Sequence, residues 1–378
     1  MTGPAAFYSA TAVLIAVYAL IISEKVNRAV AALLGGALLV LIGVLNQDEA
    51  IRAIDFNTIG FLAGMMIVVG VARKSGLFEY LAIKAAQIAR GNPAGILVSL
   101  ALITALLSAG LDNVTTVLLV VPVTMGICRH LRVPPYPFLF AEIFASNIGG
   151  AATEIGDPPN ILIGSTTHLA FNDFLIHMAP VAVIALVVQL IINHLIWGRR
   201  LKARPADKAA VMALDAKKEI KDRRMFAISV TMLIAIVAAF AVGEMFHLHA
   251  GTIALFGAAL MLLIDNLPYK PHRQNENIIG VLKDVEWVTI FFFIGLFIVI
   301  GAVEKTGLIT MLARELTHAT GGDMRLTATG VLWLSALASA IIDNIPFVAT
   351  MIPLLKDMAP TFGGVTHMEP VWWSLALG

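Results

Sequence analysis

Long apolar runs constrain this chain more than any other feature of its sequence. An α-helix needs roughly 20 residues to cross about 30 Å of hydrocarbon. Runs that approach this length lie at residues 10–22, 29–45, 181–196, 226–242 and 287–303. Only 13% of the residues are charged, against about 25% in a typical soluble domain. Helices satisfy their own backbone hydrogen bonds in lipid, and no alternating strand pattern is present. The sequence therefore predicts an all-α polytopic membrane protein.

Charge and cysteine content exclude several functional classes. The net charge is +1 and no basic face is interleaved with aromatic residues, so no nucleic acid partner is expected. Cys128 is the single cysteine, which excludes an intrachain disulfide and a metal site built from several thiolates. A phosphate-binding loop with Gly-Lys is absent, so the chain carries no ATPase of its own. Transport would then use a proton or sodium gradient without a cofactor, unless a separate ATPase subunit attaches.

Residues 198–224 form the one long polar stretch of the sequence. They contain ten Lys or Arg residues against four acids. The positive-inside rule places this stretch in the cytoplasm. We expect a multi-pass protein of the cell (inner) membrane. The stretch also divides the chain into a first part, 1–197, and a second part, 225–378. The turn at Lys25–Arg28 is predicted on the same cytoplasmic side.

An internal repeat relates the two parts. Residues 57–123 match residues 288–354 without a gap at an offset of 231, so that Asp112-Asn113 correspond to Asp343-Asn344 and Gly64 corresponds to Gly295. Two apolar helices can resemble each other by composition, but composition does not align Asp-Asn pairs. Five predicted spans separate the starts of the two copies, and an odd number makes the second copy inverted. Inverted repeats of scaffold helices, re-entrant hairpins and broken transmembrane helices are typical of secondary transporters.

Two apolar segments, 93–127 and 326–358, are predicted to be re-entrant hairpins. Each is interrupted near its middle by an Asp-Asn pair, and each arm spans only about 15 residues, which is short for a membrane crossing. Asp112 and Asp343 could simply cap the second arm of each hairpin. However, Ser or Asn could cap without a charge that costs about 2.5–3.5 kcal/mol at membrane depth. We therefore expect the two acids, with Asn113, Thr115 and Asn344 beside them, to bind the substrate or the coupling ion.

A second polar constellation interrupts the predicted span at residues 138–165. Glycines 149, 150 and 156 permit non-helical dihedral angles, and two consecutive prolines, Pro158 and Pro159, can only begin a new helix. The span should unwind near residues 149–157 and restart at Pro158. An external loop between two short helices is the alternative, but the apolar flanks together make only one span. The residues of this segment that we expect to bind substrate or ion are Asn147, Gly149, Gly150, Thr153, Glu154, Asp157 and Asn160.

These motifs resemble a known family. The stretches LDNVTTVLLVVPVT, AEIFASNIGGAATEIGDPPNILIGS and SAIIDNIPFVATMIPL look like those of the ion transporter superfamily, in the branch of arsenite permeases, NhaD-type sodium/proton antiporters and the P protein. The resemblance implies scaffold helices with a mobile transport unit, and a homodimer. It also implies a broken span in the second repeat. At the repeat offset Asn147 corresponds to residue 378, so the second repeat looks cut short and its half-site would continue beyond Gly378.

The cargo is predicted from the charge of the hairpin tips. Fixed carboxylates repel dianions such as citrate or succinate and attract cations. Arsenite is largely neutral As(OH)₃ at pH 7, and with Cys128 as the only thiol it would be recognised through oxygen contacts. We expect an arsenite or antimonite efflux permease coupled to protons, with NhaD-type Na⁺/H⁺ antiport as the alternative. A channel is a remote alternative, which a flux assay for dependence on a proton gradient would distinguish from a carrier. An intramembrane aspartyl protease is a second remote alternative, and neither Asp has the Gly-x-Gly-Asp context typical of such enzymes. No catalytic or metal-binding residue is expected.

Overall fold

Helices make up all the regular secondary structure of the described residues, 3–167 and 169–378, in this computed structural model. This confirms the all-α fold class. The α-helices are Pro4–Ser23 (α1), Arg28–Leu41 (α2), Gln47–Ala53 (α3), Phe56–Lys74 (α4), Leu77–Ile88 (α5), Pro93–Gly110 (α6), Asn113–Leu131 (α7), Tyr136–Gly150 (α8), Pro158–Thr167 (α9), Phe171–Asn193 (α10), Pro205–Met212 (α11), Arg223–Gly243 (α12), Ala250–Asn266 (α13), Pro271–Lys283 (α14), Trp287–Thr306 (α15), Leu308–Thr320 (α16), Met324–Ser339 (α17), Asn344–Met358 (α18) and Glu369–Leu377 (α19).

Among the described residues, seven helices are long and apolar enough to cross a membrane: α1, α4, α6, α7, α10, α12 and α15. The first hairpin differs from expectation, because its arms α6 and α7 contain 18 and 19 residues instead of about 15. The second arm was expected to end at about residue 127, and α7 ends at Leu131. Pro122 lies inside α7, where it removes one hydrogen bond without ending the helix. The second hairpin has arms of 16 and 15 residues.

The helix starts follow the internal repeat. In four successive pairs, the first residues of the two helices are 231 positions apart; the pairs are α4 and α15, α5 and α16, α6 and α17, and α7 and α18. The two copies therefore share an order of elements as well as sequence. Their opposite orientation in a membrane stays a prediction.

The first of two compact units contains residues 1–62, 161–169 and 286–378. In its scaffold α1 and α2 pack on α15. The contact between α2 and α15 is close because Gly295 has no side chain: a Cβ there would overlap the backbone of Ala32 and Leu33. The hairpin arm α18 packs on α16, and α17 packs on α19.

The second unit contains residues 63–160 and 170–285. Here α8 packs along α6, while α5 contacts both hairpin arms, α6 and α7. The basic stretch 198–224 is folded onto this unit through α11, which contacts α7. Its backbone is also bound: Gln87 Nε2 donates to the Leu214 carbonyl oxygen at 2.6 Å, and Lys221 N donates to that of Ser75 at 3.1 Å. The compact units do not coincide with the two halves of the sequence, since each unit contains helices from both.

Candidate substrate site

The helix break lies in the segment that the glycines and prolines predict. Helix α8 ends at Gly150 and α9 begins at Pro158. Two buried side chains fix the connection between them. Thr153 Oγ1 accepts a hydrogen bond from Gly156 N at 3.1 Å, and Asn160 Nδ2 donates to the Thr153 carbonyl oxygen at 3.0 Å. The break is therefore a defined turn, and part of the hydrogen bonding that unwinding frees is satisfied by Thr153 and Asn160 themselves.

The tip of the first hairpin is shaped by Asp112. The Thr115 backbone N–H donates to Asp112 Oδ1 at 2.8 Å, which makes Asp112 the N-cap of α7. The carboxylate side chain is 5% exposed. The capping reading of Asp112 is thus confirmed, and an additional ion-binding role stays a prediction.

The hairpin tip and the helix break lie against each other, as expected. Asn113 Nδ2 donates to Asn147 Oδ1 at 3.2 Å, and Ser146 Oγ donates to the Asn113 carbonyl oxygen at 2.8 Å. On the other side of the tip, Thr153 Oγ1 donates to the carbonyl oxygen of Ala109 at 2.7 Å. The two polar elements of this unit therefore form one constellation, with Asn147 exposed at its edge.

Two serines of this constellation were not among the predicted site residues. Ser108 Oγ donates to the Ser146 carbonyl oxygen at 2.7 Å, and both side chains are fully buried. They join α6 to α8 directly beside the tip. The repeat offered a signal for one of them, because Ser108 corresponds to Ser339 at the offset of 231.

Small residues allow the close approach at the break. A Cβ at Gly149 would overlap the carbonyl oxygen of Ala105, and a Cβ at Gly150 would lie 2.5 Å from that of Gly156. Both distances are shorter than side chains tolerate. The two glycines therefore position the tip and the turn, and their backbone groups are the parts that could contact a cargo.

The two acids of the turn differ in environment. Glu154 is partly buried and lies within electrostatic reach of Asp173 and Glu244. Asp157 precedes α9, and its carbonyl oxygen accepts from Asn160 N at 3.0 Å. Glu154 thus lies beside the constellation with two acids as electrostatic neighbours, while Asp157 occupies the capping position of the restarted helix.

The second hairpin tip, in the first unit, is not equivalent to the first. Asp343 caps α18 with a 3.4 Å hydrogen bond from Ile345 N, and its Oδ2 also accepts from Arg28 Nη1 at 3.0 Å. Arg28 Nη2 donates in addition to Thr289 Oγ1 at 3.0 Å. The sequence placed Arg28 in a separate basic turn and treated the two tip acids as a symmetric pair. The structure corrects this, because Asp343, next to Asn344, is neutralised by an arginine.

Comparisons with known proteins agree with a membrane transporter. A family model described as "Citrate transporter" matches residues 18–378. A protein of Mycobacterium tuberculosis described as an uncharacterized transporter is 43% identical over 374 residues, covering 98% of this chain and 85% of that protein. The 46 kDa membrane protein of Mycobacterium leprae is 41% identical over 373 residues, with the same coverage. The human P protein is 33% identical over 452 residues, covering 98% of this chain and 53% of that protein.

Proposed function

Since the chain belongs to the citrate transporter family and is a membrane transporter, we propose that it exports arsenite or antimonite in exchange for protons. One observation carries the choice of cargo. The groups at the edge of the constellation are the paired amides of Asn113 and Asn147, which can donate and accept hydrogen bonds. A neutral trihydroxide is a small polyol that such amides can hold without a compensating charge.

The charges beside these amides act against a free polycarboxylate. Asp112 and Glu154 are both acids: Asp112 caps α7 at the hairpin tip, and Glu154 lies in the turn beside it. A citrate trianion here would meet like charges, which cost several kcal/mol when desolvated. The arginine near the second tip is already paired with Asp343. We therefore place free citrate behind arsenite as cargo, although the family description names it.

Na⁺/H⁺ antiport is the second candidate. The Asp112 carboxylate lies one residue from the Asn113–Asn147 amide pair, and carboxylate and amide oxygens are hard ligands that suit a cation such as Na⁺. In this hypothesis the oxygen atoms of the carboxylate and the amides bind Na⁺, and the Asp112 carboxylate binds a proton when Na⁺ has left.

Uptake into everted membrane vesicles under an imposed pH gradient tests the proposal. Arsenite, antimonite, Na⁺ and citrate are compared in the same vesicle preparation. We expect gradient-driven accumulation of arsenite or antimonite, reduced up to about tenfold by Asn147→Ala, since one hydrogen bond contributes about 0.5–1.5 kcal/mol. Asn275→Ala, an exposed asparagine of α14, is the matched control. Accumulation of Na⁺ or citrate without arsenite or antimonite would overturn the choice of cargo.

A further inference from the structure

Glu142 is a carboxyl group that the constellation described above does not use. It lies on α8, two turns before the helix break, and its side chain is 0% exposed. Its Oε1 accepts a hydrogen bond from Thr124 Oγ1 of α7 at 2.5 Å. Its Oε2 is buried and has no hydrogen-bond partner among the described residues.

The helices packed around Glu142 bring no cation to it. Helix α8 packs on α6, α7 and α10. Helix α6 has no titratable side chain, and on α7 the thiol of the buried Cys128 is the group in electrostatic contact with Glu142. Helix α10 contacts the backbone next to Glu142 with an amide, since Gln189 Nε2 donates to the Ala141 carbonyl oxygen at 2.9 Å. The other titratable side chains of these helices and their caps lie at the helix ends: Asp112, Arg129, His130, Arg132, Tyr136, Asp173, His177 and His194.

A charged carboxylate in this position would be poorly stabilised. Burial of an ion without a counter-charge costs several kcal/mol, even after relaxation. The protonated acid fits the observed contacts: Oε1 is then the carbonyl oxygen that accepts from Thr124, and Oε2 carries the proton. A purely structural role does not require an acid, because glutamine has the same shape and accepts the same hydrogen bond.

Two further features distinguish this position from ordinary packing. Pro122 lies two residues before Thr124 and leaves the Leu118 carbonyl oxygen without its helical donor, which weakens α7 where it holds Glu142. The second copy has no acid here. The corresponding residue is Trp373 at the offset of 231, or Leu375 when the starts of α8 and α19 are aligned. The titratable group therefore belongs to one copy only.

We propose that Glu142 is the site that binds and releases the coupling proton, which is carried on Oε2. The exchange is between the neutral acid, as packed here, and the carboxylate plus a proton when α7 and α8 separate enough to admit water. This inference deepens the proposed proton exchange and rests on it. It adds a proton-binding residue that lies outside the hairpin tip and the helix break.

Infrared difference spectroscopy of the purified full-length protein in liposomes tests this without any cargo. We expect a carbonyl stretching band of a protonated carboxyl group that loses intensity as the pH rises. Glu142→Gln should abolish the band, and Thr124→Val should shift its frequency and titration midpoint. Glu79→Gln is the control and should leave the band intact, because Glu79 is paired with Lys221 at 4.0 Å. A band that is absent from the wild type, or that persists in Glu142→Gln, would overturn the proposal.

Transport provides the second readout. Glu142→Gln should retain exchange of labelled arsenite across vesicles without a gradient but lose at least tenfold in accumulation driven by the pH gradient. Equal gradient-driven accumulation in Glu142→Gln and wild type would contradict the proposal. If Glu142→Gln does not fold, the band of Thr124→Val decides, and an unshifted band overturns the inference. A wild type with the band but without arsenite transport would refute only the proposed cargo.

Discussion

Charge pairing separates the two hairpin-tip aspartates. Asp112 and Asp343 both cap the second arm of a hairpin, but Asp343 also binds Arg28. Arg28 begins α2, where a cation is disfavoured by the positive end of the helix dipole, so it depends on its acidic partner. The same sequence motif therefore caps a helix in both copies and forms an ion pair with Arg28 at Asp343, while a titratable role of Asp112 stays a prediction.

Replacement of each aspartate by asparagine should reveal this difference. Asn keeps the cap, so Asp112→Asn should abolish gradient-coupled flux while leaving the melting temperature nearly unchanged. Asp343→Asn leaves Arg28 with Thr289 and a more distant Glu286 at 3.9 Å, and should lower stability by about 1 kcal/mol, a modest value because the pair is partly exposed. Thermal unfolding in detergent measures the stability of both variants, and gradient-driven uptake into vesicles measures the flux. If Arg28→Gln combined with Asp343→Asn costs the full sum of the single changes, the pair contributes nothing.

The close contact at Gly150 makes a second prediction at the residue scale. A methyl group there would lie 2.5 Å from the Gly156 carbonyl oxygen, so Gly150→Ala must widen the turn between α8 and α9. Overpacking of this kind costs typically about 1–3 kcal/mol. We expect transport to fall much more than expression. Gly126→Ala in α7 is the control, because a Cβ there meets nothing within 4 Å. Equal transport in the two variants would remove the turn from the mechanism.

Equivalent helices of the two copies make equivalent contacts with the opposite half of the sequence. Gly64 of α4 lies against the backbone of Ala254 in α13, and its counterpart Gly295 of α15 lies against that of Ala32 in α2. The lysines at the ends of α4 and α15 repeat this pattern. Lys74 Nζ donates to Asn277 of α14, the helix after α13, and Lys305 Nζ donates to Glu49 of α3, the helix after α2. Each lysine thereby places a cation at a helix C-terminus, where the dipole favours it.

The Lys305–Glu49 pair predicts a pH dependence of stability. The hydrogen bond from Lys305, together with that from the Asn46 backbone, holds the pKa of Glu49 below its usual range. Because the pKa is lower in the folded state, the pair stabilises the protein above the unfolded pKa of about 4.3, and this contribution is lost as the pH falls through the folded pKa. The melting temperature of wild type should exceed that of Glu49→Gln at neutral pH, and the difference should vanish in acid. Asp48→Asn should show no such change.

Features that depend on neighbouring residues could be predicted from the sequence, whereas contacts between residues distant in the sequence could not. The break between α8 and α9 and the capping role of Asp112 follow from glycine, proline and aspartate within a few residues, so the sequence was sufficient. The Arg28–Asp343 pair joins side chains 315 positions apart, and no local pattern indicates it. The docking of residues 198–224 on α5 was equally hidden, because it uses backbone carbonyl groups such as that of Leu214. The arms of the first hairpin were underestimated, since the apolar helix α7 continues to Leu131.

At the scale of the whole molecule, the compact units and the repeats divide the chain differently. The scaffold of the first unit pairs α2 of the first half with α15 of the second, and that of the second unit pairs α4 with α13. The scaffold of each unit therefore contains one helix from the first half of the sequence and one from the second half.

The orientation of the copies can be measured at two matched positions. Asn92 and Asp323 are exposed, are 231 positions apart and precede the first arm of each hairpin. In a Cys128→Ser background, we expect Asn92→Cys to react with a membrane-impermeant maleimide from the cytoplasmic face, and Asp323→Cys from the opposite face. Lys202→Cys marks the cytoplasmic side. Lys202 lies in the basic stretch, which belongs to the same compact unit as α5. Right-side-out and everted vesicles give the two accessibilities. Labelling of both matched positions from one face would show that the two copies are parallel. The prediction of an odd number of spans between the starts of the two copies would then be wrong.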